Sequence, residues 1–296
     1  MTKIIALLPF RNEERFLHTC VTSLCGIVDE IVAMDDFSTD KSMEVVSRTC
    51  HKKNTPLQLH EGIAEKKHLP VEKLRQRLLD LGRSSGGTHF ICLDADEAFT
   101  ANFIPNGRKI IERLEPGQKL TMQWLAMWKS QDHYRDDQSV WSKNFKDFIV
   151  CDDRKIEVDN VISHGGRTPG PNNEKTNLRL NPKYGAVFHF QFSDWNAFQI
   201  KQAKYRCFEK SIGRPDDAIN QRYLITKDDP GAIVSAVPQN WLFLKEDMPD
   251  ISYAVERPDW HLKEIEDFFV SLGVKTFEKL DIWHVPEIRQ LRDRLV

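Results

Sequence analysis

Two aspartates with one residue between them, Asp94 and Asp96, follow directly after the apolar run 90–93. If that run is a buried strand, both carboxylates lie just beyond its C-terminal end, where open α/β sheets bind their ligands. Paired carboxylates suit a hard divalent cation, and a cation at that place suits a diphosphate. A solvated turn or a helix cap contains the same residues, so the meaning of the pair depends on the elements around it.

Short apolar runs alternate with helical patterns through the first hundred residues. Apolar strands separated by helices predict an α/β fold with a mostly parallel sheet that is covered by helices on both faces. The predicted strands are 4–8, 31–34, 56–60 and 90–93, and the predicted helices begin near 13, near 40 and at 71. Right-handed crossovers bring strand ends to one edge. We therefore expect four acidic residues on one rim: Asp35, Asp36, Asp94 and Asp96.

Three segments in order resemble the motifs of family 2 glycosyltransferases with the GT-A fold. They are Leu8-Pro9-Phe10-Arg11-Asn12-Glu13-Glu14, the segment 29–40 with its Asp35-Asp36-x-Ser38-x-Asp40 signature, and the segment 90–97 with its Asp-x-Asp motif. A weaker resemblance runs through Phe188-His189-Phe190 to about residue 210. The family usually has Gly in place of Phe37, and often has Ala-Arg-Asn where this chain has Leu74-Arg75-Gln76.

The resemblance implies a Rossmann-like, mostly parallel central sheet flanked by helices, with a C-terminal helical extension. Residues 1–100 would form the nucleotide-sugar-binding half of the GT-A domain and residues 101–212 its acceptor-binding half. Residues 213–296 would form the small helical extension. Further strands are predicted at 120–128 and 145–151, helices at 194–210, 260–270 and 285–295, and a loop that could act as a lid at 164–171.

The resemblance also implies a site for a nucleoside-diphosphate sugar. Asp36 would contact the base or ribose, and Arg11 could pack on the base. Arg75 and a basic face of the helix 194–210 could meet the diphosphate. The residues assigned to the donor are Pro9, Arg11, Asp36, Arg75, Asp94, Lys204 and Arg206. The alternatives are a helix cap for Asp36 and ordinary surface cations or ion pairs for the basic residues.

The metal ligands implied by the resemblance are Asp94, Asp96 and His189. Oxygen ligands favour Mg2+ or Mn2+ over zinc, and an imidazole favours Mn2+ somewhat over Mg2+. His189 lies in the strand-like run 187–190 between aromatic residues, where a histidine is as often part of the core. Its role as a ligand and its role as a core residue are both open at this stage.

An inverting transfer needs a group that removes the proton from the acceptor hydroxyl. The family often has a His-Glu pair for which the comparable place here is Ser163-His164-Gly165, without the Glu. The sequence leaves four candidates for the catalytic base: Asp132, Asp152, Asp153 and His164.

Three function classes follow. The first is a metal-dependent glycosyltransferase that uses a UDP-sugar, or a GDP- or dTDP-sugar, and a glycan, lipid-linked or protein-linked acceptor. The second is a nucleotidyltransferase that makes nucleotide sugars. Such enzymes carry a Gly-rich phosphate loop after the first strand, and the segment 9–14 contains no Gly. The third is a catalytically silent nucleotide-sugar-binding module, against which the intact acidic pair argues.

Composition limits the partners and the compartment. A net charge of −2 provides no basic field for nucleic acid. The six cysteines show no Cys-x-x-Cys spacing, which is typical of reduced thiols in the cytoplasm. No apolar run approaches the ~20 residues of a membrane span, and the N-terminal run is too short for a signal sequence. We expect a cytoplasmic protein, with peripheral membrane association and a homodimer both left open.

Overall fold

The computed structural model describes residues 2–62, 71–158, 167–171, 177–227, 230–251 and 260–296. The chain divides into two compact units. The first consists of Met1–Phe190 and Val234–Asp250, and the second of Gln191–Ile233 and Ile251–Val296.

The first unit contains a mixed sheet with helices along the chain between its strands. Its strands are β1 (Ile4–Phe10), β2 (Glu30–Asp35), β3 (Leu57–Glu61), β4 (His89–Ile91), β5 (Glu97–Phe99), β6 (Lys119–Ala126), β7 (His133–Arg135), β8 (Phe145–Cys151), β9 (Leu178–Arg179), β10 (Val187–His189) and β11 (Val234–Ala236). Its helices are α1 (Leu17–Cys25), α2 (Ser42–Lys52), α3 (Val71–Ser84) and α4 (Ile104–Ile111).

The strand order of the main sheet is β3-β2-β1-β4-β8-β6-β10-β5, and β9 pairs with β6. Strands β3, β2, β1 and β4 are parallel neighbours. Strand β8 runs antiparallel to both β4 and β6, and β5 runs antiparallel to β10. The predicted α/β class with a mostly parallel central sheet is confirmed, with β8 and β5 as the reversed strands.

Helices cover both faces of this sheet. Successive strand residues point to opposite sides and therefore pack against different helices. In β1, Ile4, Ala6 and Leu8 belong to one apolar cluster, which α1 and α2 complete. Ile5 and Leu7 belong to a second cluster, which α3 completes through residues that include Leu74, Leu78 and Leu79. The uninterrupted apolar run of β1 is therefore the mark of a strand buried on both faces.

The edges of several predicted elements differ from the structure. Helix α1 begins at Leu17, later than predicted, because residues 13–16 form a turn in which Phe16 N donates to Glu13 O at 3.0 Å. Strand β4 ends at Ile91 rather than at residue 93. Directly after β4, Cys92 N donates to Phe148 O of β8. A turn then leads to β5, a three-residue strand that was not predicted from the sequence.

The second unit is helical and has its own core. It contains α5 (Trp195–Ser211), α6 (Asp216–Arg222), α7 (Trp260–Leu272) and α8 (Pro286–Leu295). Ile200, Ala203 and Cys207 of α5 share an apolar cluster with Ile265 and Phe269 of α7. The division at Phe190 therefore differs from the boundary predicted at residue 212: α5 belongs with the C-terminal helices. The segment 234–250 returns to the first unit, where β11 pairs with β7.

Candidate functional site

The carboxyl ends of β1 and β2 lie side by side at one edge of the sheet. Phe10 pairs with Asp35, and the backbone N–H of Asp36 donates to Phe10 O at 2.8 Å. Pro9 lies in β1 opposite Met34, and Arg11 is the first residue beyond β1. Strand β4 runs parallel to β1 on its other side, so its C-terminal turn faces the same edge. The predicted rim of acidic residues is therefore present around three strand ends.

Side chains and backbone groups connect the loops after β1 and β2. Asn12 N donates to Ser38 Oγ at 2.9 Å, and Thr39 N donates to Asn12 Oδ1 at 2.7 Å. Glu13 N donates to Ser42 Oγ at 2.8 Å. These bonds hold together the two loops that carry Arg11 and Asp36.

Phe37 has a φ angle of +61°, in the left-handed region that favours glycine. This backbone conformation gives a physical reason for the Gly that usually stands here in the family that the sequence resembles. Just before it, the Asp35 carboxylate accepts from Ser38 N at 3.1 Å and 3.2 Å, which closes the turn. Burial raises the pKa of Asp35, and the bonds from Ser38 oppose that shift.

The Asp94 carboxylate lies between two arginines. Arg75 of α3 donates to Asp94 Oδ1 at 2.5 Å, and Arg167 NH2 lies 3.3 Å from Oδ2. Burial acts to raise the pKa of Asp94, but the two cations outweigh it and lower the pKa to about 2. Asp94 is therefore ionised, with each of its oxygens facing a guanidinium group.

Glu97 is fully buried and connects several parts of the site. Its carboxylate accepts from Asp94 N at 2.8 Å and from Trp124 Nε1 at 2.7 Å, and it forms an ion pair with Arg167. Burial raises its pKa, and Arg167 opposes that shift. The bonds fix the turn between β4 and β5 and attach it to β6.

Asp96 and His189 lie together at the same turn. Phe190 N donates to Asp96 O at 2.8 Å, and His189 Nε2 lies 3.5 Å from Asp96 Oδ2. The His189 ring stacks on Trp124 with centroids 4.0 Å apart. Strand β10, paired with β6 and β5, thus delivers His189 to the acidic turn.

The donor set around Asp96 fits a divalent cation only in part. Asp96 Oδ2 and His189 Nε2, at 3.5 Å, are close enough to bind one cation together. Asp94 Oδ1 and Oδ2 instead face Arg75 and Arg167. Within the described ranges, no group of three or more His, Cys, Asp or Glu side chains is arranged to hold a metal ion. Protein ligands would thus supply two positions, and the remainder would fall to substrate oxygens and water.

The candidates for the catalytic base lie at different edges of the sheet. Asp132 lies between β6 and β7, directly before His133 of β7, and the carboxyl end of β6 lies beside that of β10 at His189. Its exposed carboxylate accepts from His133 Nδ1 at 2.8 Å and from Ser130 Oγ, and these bonds lower its pKa.

Asp152 and Asp153 follow β8, where that strand lies beside the start of β4. Asp152 is buried in a two-bond ion pair with Arg83, at 2.8 Å and 2.9 Å. Asp153 accepts from Lys155 N and Ile156 N. The structure thus places both at the edge opposite Asp94. His164 lies outside the described residues.

Lys204 and Arg206 both belong to the helical unit. Lys204 Nζ lies 3.7 Å from Glu264 Oε2 and 5.5 Å from the Trp260 ring. Arg206 is 1% exposed and donates to Tyr223 O and Thr226 Oγ1. Its guanidinium therefore stabilises the interior of that unit, which is a different role from the predicted contact with a diphosphate.

Sequence reasoning missed three residues that the structure places at the acidic turn: Glu97, Trp124 and Arg167. Glu97 stood inside the quoted motif segment, where its position next to Asp96 was the available signal. Trp124 gave no such signal, because its distance from Asp94 depends on the pairing of β6 with β10 and β8. Arg167 stood inside the predicted lid loop 164–171, without a role of its own.

No helix among the described residues is long and apolar enough to cross a membrane.

Three comparisons relate the chain to known proteins. The family model described as Glycosyl transferase family 2 matches residues 6–192. The comparison with curated proteins gave no match. One similar solved structure is S. aureus TarS, which is 14% identical, with a TM-score of 0.44, over 99% of this chain and 53% of that chain. This chain therefore spans about half the length of that TarS chain.

A second similar structure is the mannosyltransferase PcManGT from Pyrobaculum calidifontis in complex with GDP-Man and Mn2+. It is 12% identical, with a TM-score of 0.42, over 72% of this chain and 65% of that chain. Glucosyl-3-phosphoglycerate synthase from Mycobacterium tuberculosis is 16% identical, with a TM-score of 0.27, over 42% of this chain and 44% of that chain. Because the family model covers more than half of the sequence, at residues 6–192 of 296, the chain belongs to family 2 of the glycosyltransferases.

Proposed function

We propose that this protein transfers a sugar from a nucleoside-diphosphate sugar to a hydroxyl group of an acceptor, with the help of a divalent cation. The observation that carries the proposal is the acidic turn at the carboxyl edge of the sheet. There an ionised Asp94 and the Asp96–His189 pair lie beside the loops that follow β1 and β2. This edge is where α/β sheets bind nucleotides.

The donor's nucleoside would bind at the connected loops after β1 and β2. Asp36 would contact the base or ribose, and Pro9 and Arg11 would line the same place. The donor's diphosphate would extend toward Asp94 and Arg75. UDP is the first donor nucleotide to test, followed by GDP and dTDP.

Asp96 and His189 would hold Mn2+ or Mg2+, with Asp94 close by. A bound cation supplies positive charge that offsets the charge developing on the leaving diphosphate. Arg75 and Arg167 keep Asp94 ionised. Trp124 stacks on the His189 ring, which limits the orientations that this imidazole can adopt.

Asp132 is the carboxylate best placed to act as the base of an inverting transfer. It is exposed, and it follows the strand whose end lies beside His189. The bonds from Ser130 and His133 lower its pKa, so it is ionised at neutral pH. His164 remains the second candidate. The acceptor would be a glycan or another hydroxyl compound, free or linked to lipid or protein.

The test is a thermal-shift series with UDP, GDP and dTDP and their sugars, each with Mn2+, Mg2+ or chelator. A ligand that binds only the folded protein raises the unfolding free energy by about 2.7 kcal/mol at a concentration of a hundred times its Kd. The melting temperature rises accordingly. We expect one nucleoside diphosphate to raise the melting temperature when Mn2+ is present, and to raise it only weakly when chelator is present. Absence of a shift with all of them would contradict the proposal. Binding without sugar transfer to any acceptor would indicate a silent binding module instead.

A further inference from the structure

Lys146 is a half-buried cation close to the acidic turn. It is the second residue of β8 and pairs with Met122 of β6. Its Nζ lies 3.9 Å from the centroid of the Trp124 ring. In the part of the chain that the structure describes, Lys146 has no hydrogen bond and no ion pair, and its ammonium packs against the indole.

The three carboxylates of the acidic turn have their direct partners in groups other than Lys146. Asp94 faces Arg75 and Arg167. Glu97 forms an ion pair with Arg167, and Asp96 lies against His189. Lys146 is therefore the cation of this group whose N–H donors form no hydrogen bond or ion pair within the described residues. Burial and the nearby Arg167 lower its pKa, and the negative charges of Glu97 and Asp94 oppose that shift. A half-buried ammonium without a hydrogen-bond acceptor is costly, so this position favours a ligand that supplies one.

The indole of Trp124 separates Lys146 from the proposed metal ligands. The Lys146 ammonium and the His189 ring each lie about 4 Å from the Trp124 ring centroid, at 3.9 Å and 4.0 Å. Lys146 lies on β8 and His189 on β10, and these strands pair with opposite sides of β6, so the two groups approach the Trp124 ring from opposite sides. An anion bound to Lys146 would thus be on the far side of the indole from a diphosphate at Asp96 and His189.

We propose that Lys146 binds an anionic group, a carboxylate or a phosphate, that is carried by the transferred sugar or by the acceptor. The inference rests on the proposed function, because it assumes that the diphosphate lies at the acidic turn. It then assigns the substrate class: one of the two substrates carries a negative charge in addition to the diphosphate.

Arg179 offers a matched control for Lys146. It lies on β9, and its guanidinium stacks over Phe145, the residue before Lys146, at 3.5 Å. Successive strand residues point to opposite faces of a sheet, so Arg179 and Lys146 lie on opposite sides of β8. The variants Lys146→Met and Arg179→Met remove the same charge, and Lys146→Arg keeps it.

The experiment measures Kd by calorimetry with Mn2+ present, in two arms. The donor arm compares UDP-glucuronate with UDP-glucose. The acceptor arm compares glucose 6-phosphate with glucose at saturating UDP. In one arm we expect the wild type to prefer the anionic ligand by roughly tenfold, the usual size of one charge-assisted hydrogen bond. Lys146→Met should remove that preference, whereas Lys146→Arg and Arg179→Met should keep it.

The UDP reference separates the two proposals. If UDP with Mn2+ binds but neither arm shows a preference that depends on Lys146, the inference is overturned and the proposed function stands. If Lys146→Met weakens the binding of UDP as much as the binding of the anionic ligands, Lys146 contacts the diphosphate, and the inference is again overturned. If UDP itself does not bind, UDP is not the donor nucleotide, and the glucose 6-phosphate comparison without nucleotide decides the inference alone.

Discussion

At the scale of single residues, the two arginines beside Asp94 determine its charge. Because the folded pKa of about 2 is below the ordinary value, Asp94 stabilises the fold above pH ~4, and that contribution is lost as the pH falls toward 2. Replacing Arg75 removes one of the two cations. We therefore expect Arg75→Met to raise the pKa of Asp94 and to move acid unfolding to higher pH.

This prediction is checked by carboxyl-carbon NMR and by circular dichroism between pH 7 and pH 2. Arg77→Met, which removes a cation from the same helix, is the control. It should leave the Asp94 titration unchanged. An Asp94 titration that is the same in Arg75→Met and wild type would show that Arg167 alone determines the charge state.

Trp124 stacks on His189 and donates to Glu97, and substitutions can separate these contacts. Trp124→Phe keeps a ring beside His189 but removes the Nε1 bond to Glu97, which measures 2.7 Å. Leaving a buried acceptor without that donor costs about 1–3 kcal/mol. We expect a loss of unfolding free energy in that range for Trp124→Phe, measured by urea denaturation.

The same two variants test the position of His189. Trp124→Leu removes the stacked ring as well, so it should weaken Mn2+ binding, measured by electron paramagnetic resonance, several-fold more than Trp124→Phe does. Equal Mn2+ affinities in the two variants would mean that the ring has no part in placing His189.

At the scale of elements, the loops after β1 and β2 depend on Asn12. Its φ angle is +53°, and its side chain accepts from Thr39 N at 2.7 Å. Asn12→Ala loses the bond and keeps an unfavourable backbone, whereas Asn12→Gly loses only the bond. We expect Asn12→Ala to lower the unfolding free energy by about 1–3 kcal/mol.

The control for this prediction is Asn12→Gly, which should be less destabilised than Asn12→Ala by about 1 kcal/mol. Both unfolding free energies are measured by urea denaturation, and nucleotide affinity by calorimetry. If alanine is tolerated better than glycine, backbone strain does not govern this loop.

The strands of the first half could be predicted from sequence because burial on both faces requires uninterrupted apolar runs. Strand β8 of the second half was also predicted with its observed range, 145–151, although Lys146 and Asp147 interrupt its apolar run. Strand β5 has three residues, Glu97–Phe99, too few for any periodicity to appear. Asp94 and Asp96 could be placed at the sheet edge from local pattern. The role of Trp124 depends on long-range strand pairing, and the role of Arg167 depends on a contact with residues about seventy positions away, neither of which a local pattern records.

The boundary predicted at residue 212 and the division of the structure at Phe190 differ for a related reason. Helix α5 has apolar residues on its surface that could cover either a sheet or other helices. Its cluster with Ile265 and Phe269 is a contact between positions about sixty residues apart, so the helix pattern alone could not show which core it completes.

At the scale of the whole molecule, the two units have separate apolar cores. Phe269 is 2% exposed and packs against Phe277 and Trp283 of the helical unit. Phe103 is fully buried in the sheet unit and packs against Phe99 at 4.8 Å. Truncating either phenylalanine to alanine removes about 3–5 kcal/mol from its own core.

We expect each truncation to act on its own unit. In hydrogen-exchange mass spectrometry, Phe269→Ala should speed exchange in α7 and α8 and leave β1 and β2 protected, while Phe103→Ala should do the reverse. The reason is that neither core cluster includes residues of the other unit, so a cavity in one removes no apolar contact from the other. Equal acceleration throughout the chain in both variants would show instead that the two cores unfold as a single cooperative unit.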